Sequence, residues 1–152
     1  MAGLYFDEFS VGQVFNHPIR RTVTETDNLL FTALTHNPAS LHLDEEYCRT
    51  ESEFGQRIVN SAFTFGLMVG ISVGDTTLGT TLANLGMTDV SFPRPLFHGD
   101  TVHVRTTVSE LRDSQSRPNA GITTFVHQAF NQRDEMVATC IRAALMKKRA
   151  KA

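Results

Sequence analysis

Apolar and polar positions follow a helical beat in the first half of the chain and a strand beat in the second. Residues 13–23 open with an extended pattern. Pro18 confines it to a sheet edge or a bulge, because proline cannot donate to a ladder. Thr24 and Asp27 have the spacing of a capping box, and Leu29, Leu30, Ala33 and Leu34 recur at helical spacing, so 25–35 is predicted to be a helix. It should end near Asn37-Pro38, since a residue before proline avoids helical dihedrals. Residues 44–51 read as a short polar helix started by Asp44. Residues 61–74 form a helix that is apolar nearly all round, the pattern of a helix enclosed in a core. Ala62, Gly66, Gly70 and Gly74 recur every four residues and make a stripe free of bulky side chains. Glycine costs about 1 kcal/mol inside a helix. Close approach to a sheet is the expected reason for the stripe, with a dimer groove or a ligand channel as the functional alternative.

From about residue 81 the beat is that of strands. Residues 82–92 are stopped by Pro93 and Pro95. Residues 101–111 alternate, with Val102, Val104 and Val108 on one face. A polar loop is expected over 112–121, then strands over 122–130 and 135–146. Roughly five antiparallel strands with one buried helix inserted after the first define an α+β fold, a sheet curled around a central helix. The whole of 1–152 is expected to be one domain with a basic tail over 147–152.

Composition narrows the function. With 14 Lys+Arg against 16 Asp+Glu the charge is −2, so no nucleic-acid surface is expected. Cys48 and Cys140 fit neither a metal-ligand spacing nor a disulfide framework. The first eight residues carry Asp7 and Glu8 and no apolar leader core, and the apolar stretch from Ala62 to Val73 falls short of the roughly 20 residues that span a bilayer. A cytoplasmic protein without a membrane anchor is expected.

The segment 31–64 carries the chemistry. It delivers a polar turn with His36, Asn37 and His42, then the start of the apolar helix, towards the mouth of a core. The first N–H groups of a helix lack partners and carry about half a positive charge, so residues 60–61 could stabilise a developing oxyanion. Asn60 could add a side-chain donor, or it could simply cap the helix. His17, His98, His103 and His127 are scattered and read as structural.

These residues also resemble a known family. Phe6 through Gln13 is similar to the opening of the MaoC-like dehydratases, the (R)-specific enoyl-CoA hydratase group of the hotdog superfamily. Leu41-His42-Leu43-Asp44 with Tyr47 and Phe54-Gly55 is similar to that family's histidine stretch. Phe92-Pro93-Arg94-Pro95 with Gly99-Asp100 is similar to its strand connection. The family's hydratase motif reads Asp-x-Asn-Pro-x-His. His42 matches the histidine, and Asn37 stands where the ungapped match requires aspartate.

The resemblance implies a hotdog fold and reversible hydration of a 2-enoyl-CoA. His42 and Asn37 would be catalytic, and a backbone N–H at Ser61 would bind the thioester oxygen. Asparagine can orient water but cannot take its proton, which leaves an imidazole as the base. Asn37 would also spare a substrate carboxylate the repulsion of an aspartate. The run is similar to members associated with mesaconyl- or itaconyl-type C5 dicarboxylic thioesters, and Arg57 or Arg94 would then bind the distal carboxylate. No metal or cofactor is implied, coenzyme A being part of the substrate. A homodimer or higher homo-oligomer is implied. The alternatives are a hotdog thioesterase, weakened because 58–74 holds no acid in the helix core, and a non-catalytic acyl-CoA-binding protein.

Overall fold

The computed structural model describes residues 3–150. Six strands form one antiparallel sheet. The element order is β1 (Val14–Asn16), β2 (Arg21–Thr22), α1 (Glu25–Leu34), α2 (Ser40–Leu43), α3 (Glu45–Thr50), α4 (Ser61–Thr76), β3 (Thr81–Ser91), β4 (Thr101–Asp113), β5 (Ala120–Phe130) and β6 (Met136–Lys147). The sheet order is β1-β4-β5-β6-β3, with β2 also paired to β4. The single strand expected over 13–23 is thus two short ones on either side of Pro18, both pairing with β4 at the sheet edge. β4 and β5 extend further than their alternation predicts, so the loop between them shrinks to residues 114–119.

The helix-facing side of the sheet carries Val102 and Val104 from β4, Ala129 from β5, and Ala138 and Cys140 from β6. These pack on Met68 and Ile71 of α4 with Val23, Val59 and Leu96. A second cluster around Phe125, Val108 and Met146 is closed by Phe9 and bordered by Phe6 from the N-terminal segment.

α4 departs from its expectation. Its buried residues are Thr64, Met68, Ile71, Ser72 and Thr76, while Gly66 and Gly70 are exposed. A Cβ at Gly66, Gly70 or Gly74 would meet nothing within 4 Å. The stripe therefore does not approach the sheet. The reason is angular: residues 62 and 64 lie about 200° apart around a helix that turns about 100° per residue, so their two four-residue stripes occupy opposite faces. The sheet takes the one with threonine, methionine and serine. α1 shows the same inversion. Its buried positions are Asn28 and Thr32, while Leu30 and Leu34 are 58% and 72% exposed.

Candidate active site

Local capping explains why the 24–60 segment folds as it does. Thr24 accepts from the Asp27 N–H, and the Asp27 carboxylate bonds back to the Thr24 N–H at 2.8 Å. After α1 the chain turns through His36, whose φ of 53° is left-handed. The Asn37 N–H then returns to the Thr32 carbonyl at 3.1 Å. Asn37 Oδ1 accepts from the Ala39 N–H at 3.0 Å, an Asx turn leading into α2. Asp44 caps α3 through the Tyr47 N–H. The Cys48 thiol lies under α2 and donates to the Leu41 carbonyl at 3.5 Å. Burial raises its pKa, so it is a packing thiol rather than a nucleophile.

His42 sits in α2 and is 8% exposed. Its Nδ1 lies 2.9 Å from the Ile58 carbonyl. A carbonyl only accepts, so Nδ1 carries the proton and Nε2 keeps a lone pair. No described residue takes up Nε2, which is also absent from the sealed polar atoms and so reaches accessible space. Ile58 is tied from three sides. Its N–H donates to the Leu41 carbonyl at 3.0 Å, it bridges to Phe97, and its carbonyl accepts a second bond from Asn28 Nδ2 at 3.1 Å. Asn28 also reaches His98 Nε2 at 2.9 Å, and its Oδ1 accepts the Asn60 N–H at 2.8 Å. Burial and then the charge of Arg57 lower the His98 pKa, which favours the neutral ring that can accept from Asn28.

Asn60 is the N-cap of α4. Its Oδ1 takes the Ala62 N–H at 3.0 Å and its Nδ2 leans on Thr32 Oγ1 at 3.4 Å. The side-chain donor expected of Asn60 is therefore spent on Thr32, its side-chain oxygen on the cap, and its backbone N–H on Asn28. The Ser61 N–H finds no acceptor among the described residues. Ser61 lines a cavity of about 280 Å³ together with Ile58, Thr64, Phe92, Arg94 and Val137. His42 itself does not line this cavity; Ile58, whose carbonyl holds the imidazole, forms the cavity wall together with Ser61.

The two candidate arginines part company. Arg94 lines the cavity, is 63% exposed along its side chain, and has only a loose neighbour in Glu135 at 3.9 Å. Arg57 is bound by Glu45 at 2.5 Å and Glu25 at 2.6 Å, which raise its pKa and commit it to tying α1 to α3. The substrate role expected of Arg57 gives way to this bracing. Asn37 is a second departure: its side chain is held in its own turn, and no bond links it to His42. Asn28, which the sequence did not single out, makes three side-chain hydrogen bonds at this site, more than the side chain of any predicted residue. No cluster of three metal-ligating side chains occurs among the described residues.

A helix lying along a curved antiparallel sheet, with a cavity at the helix start, defines the hotdog class. A protein of Mycobacterium tuberculosis described as having a double hotdog fold covers 99% of this chain and 46% of its own at TM-score 0.89 and 24% identity, a likeness of fold alone. The family model described as MaoC like domain matches residues 8–129, and the chain belongs to that family. The MaoC-like dehydratase of Rhodospirillum rubrum is 29% identical with a TM-score of 0.87, covering 98% of this chain and 100% of that one. Mesaconyl-CoA hydratase of Cereibacter sphaeroides is 28% identical over 148 residues, 97% of this chain and 42% of that protein. The chain spans less than half the length of the curated relatives it matches first.

Proposed function

We propose that the chain reversibly hydrates a 2-enoyl-CoA thioester, with a branched dicarboxylic acyl group of the mesaconyl or itaconyl type as the favoured substrate. The observation that carries this is the Ile58 carbonyl at 2.9 Å from His42 Nδ1, which leaves Nε2 available as a base, with the strap from Ile58 to Asn60 leading from that carbonyl to a helix start with a free N–H. The thioester oxygen accepts from the Ser61 N–H. His42 Nε2 takes a proton from water as the water oxygen bonds to the β-carbon. Negative charge moves to the thioester oxygen as an enolate, where the amide and the helix dipole stabilise it. The imidazolium then gives its proton to the α-carbon. Water is added in full, with no redox step, so the reaction as written needs no resident cofactor or metal. His42 acts alone as base because Asn37 stays in its turn.

Arg94 is the cation assigned to a distal carboxylate. Its place on the cavity wall and its loose pairing support this. A homodimer is part of the reading: β3 is an edge strand with Leu82, Leu85 and Val90 exposed, and the glycine face of α4 is open. A monomeric mass by light scattering at micromolar concentration would refute it. The assignment to the cytoplasm goes with coenzyme A thioesters as substrates; no helix among the described residues is long and apolar enough to cross a membrane.

Loss of the conjugated enoyl-thioester absorbance tests the activity. A panel of enoyl-CoA substrates, with and without a distal carboxylate, is given to the wild type and to His42→Ala. The variant should lose about a hundredfold or more in kcat. Arg94→Ala should raise KM for the carboxylated substrates only. Release of free thiol without hydration would instead establish a thioesterase, and tight binding without turnover a binding protein.

A further inference from the structure

We infer that Asn28 is the positioning residue that sets the imidazole of His42 against the start of α4. The inference rests on the hydratase reading and adds to it a part that no motif contains. Asn28 is fully buried on α1, and its one amide reaches both halves of the site. Nδ2 donates to the Ile58 carbonyl at 3.1 Å, the same oxygen that holds His42 Nδ1 at 2.9 Å. Oδ1 accepts the Asn60 N–H at 2.8 Å, one residue before the free N–H of Ser61. The strap from Ile58 to Asn60 is therefore pinned at its two ends by a single planar group. The second proton of Nδ2 goes to His98 Nε2 at 2.9 Å, which fixes the amide plane itself.

The consequence is geometric. Base and oxyanion donor come from separate elements, α2 and α4, and only the strap joins them. A misplacement of about 1 Å between reacting groups can cost about a hundredfold in rate. Asparagine alone supplies a donor and an acceptor at this length. Leucine, which the apolar beat of α1 would favour, leaves the Asn60 N–H buried and unpaired.

Two substitutions separate the arms. Asn28→Asp keeps the acceptor for the Asn60 N–H and loses both donors. Asn28→Ala loses everything. Three quantities are read at pH about 8: thermal melting, kcat and KM on the enoyl thioester, and the His42 ring tautomer by long-range proton–nitrogen NMR. The wild type should show the Nδ1–H tautomer alone. Asn28→Asp should keep KM within about twofold, because the start of α4 is still held, while kcat falls about tenfold or more and the Nε2–H tautomer appears. Asn28→Ala should lose in both kcat and KM.

A purely structural role would lower the melting temperature while leaving tautomer and kcat per folded molecule unchanged, and that result overturns the proposal. So does an Nε2–H tautomer in the wild type, a measurement that needs no variant. If the wild type hydrates no enoyl thioester the hydratase reading fails, while the tautomer measurements still decide whether Asn28 positions His42.

Discussion

Replacing His127 by asparagine should make the protein less sensitive to acid. His127 lies on β5, fully buried under α4, and its Nδ1 is 2.8 Å from Thr106 Oγ1. The same hydroxyl is 2.8 Å from His17 Nε2, and His17 Nδ1 is 3.0 Å from the Asp75 carboxylate. A hydroxyl has one proton, so the chain of bonds has a direction. With a neutral His17 donating from Nδ1 to Asp75, Thr106 donates to His17 Nε2 and His127 donates from Nδ1 to Thr106. Its Nε2 is left as a buried lone pair with no partner among the described residues. A proton arriving there would have no acceptor and would face Arg142. Burial, then Arg142, then His17 push the His127 pKa down from 6.5 to about 3.

The sign follows from linkage. Below 6.5 the unfolded chain takes up a proton that the folded chain refuses, so this contribution is complete above pH 6.5 and is lost as the pH falls towards 3. Each pH unit in that window costs about 1.4 kcal/mol, so about 2 kcal/mol is gone at pH about 5 and at most about 5 kcal/mol at the lower limit. Asparagine places a polar atom near the Nδ1 position and does not titrate. Urea unfolding at pH about 7 and about 5 measures the drop for each protein. The variant should lose about 2 kcal/mol less than the wild type. Equal losses would refute the neutral, sealed imidazole.

Two further substitutions probe packing and charge. A Cβ at Gly121 would strike the Phe6 ring, so Gly121→Ala should destabilise the fold by about 1–3 kcal/mol in urea titration; unchanged stability would show that the N-terminal segment is not seated on β5. Arg57→Met leaves Glu25 and Glu45 without their cation. It should lower the melting temperature at low salt and much less at high salt, without raising KM selectively for carboxylated thioesters. A selective rise would return Arg57 to the substrate.

Much of the frame was legible because it rests on local rules. Thr24 and Asp27 form the capping box their spacing predicts, Asp44 and Asn60 cap the helices that follow them, and the alternation of Val102, Val104 and Val108 marks the buried face of β4. The helical beat named the right segments for α1 and α4 but the wrong faces. In α1 the leucines suggest an inner face, yet Asn28 and Thr32 are the buried positions. A periodicity of apolar residues cannot report a helix whose inner side is a hydrogen-bonding surface. The bracing role of Arg57 was not legible for a related reason. Its two acids lie 32 and 12 residues away, and only the tertiary fold brings them to one guanidinium.

The site itself is an assembly of backbone groups, which explains what the motif left out. His42 is identifiable as a side chain, but what makes it a base is a carbonyl sixteen residues on. What fixes that carbonyl is an amide on a helix thirty residues before it. Neither partner has a residue-type signature: any residue at 58 supplies a carbonyl, and asparagine within a helix ordinarily reads as a weak helix former. Ser61 likewise acts through its N–H, so its side chain carries no information about the role. The aspartate the motif leads one to expect is absent at Asn37, and no acid among the described residues bonds to His42. It supplies rigidity instead: an imidazole with a fixed tautomer, a pinned strap, and one amide left unpaired at a cavity wall. For the proposed hydration, in which a single proton leaves water and arrives at carbon, orientation of one base against one oxyanion donor is the requirement, and a carboxylate is not.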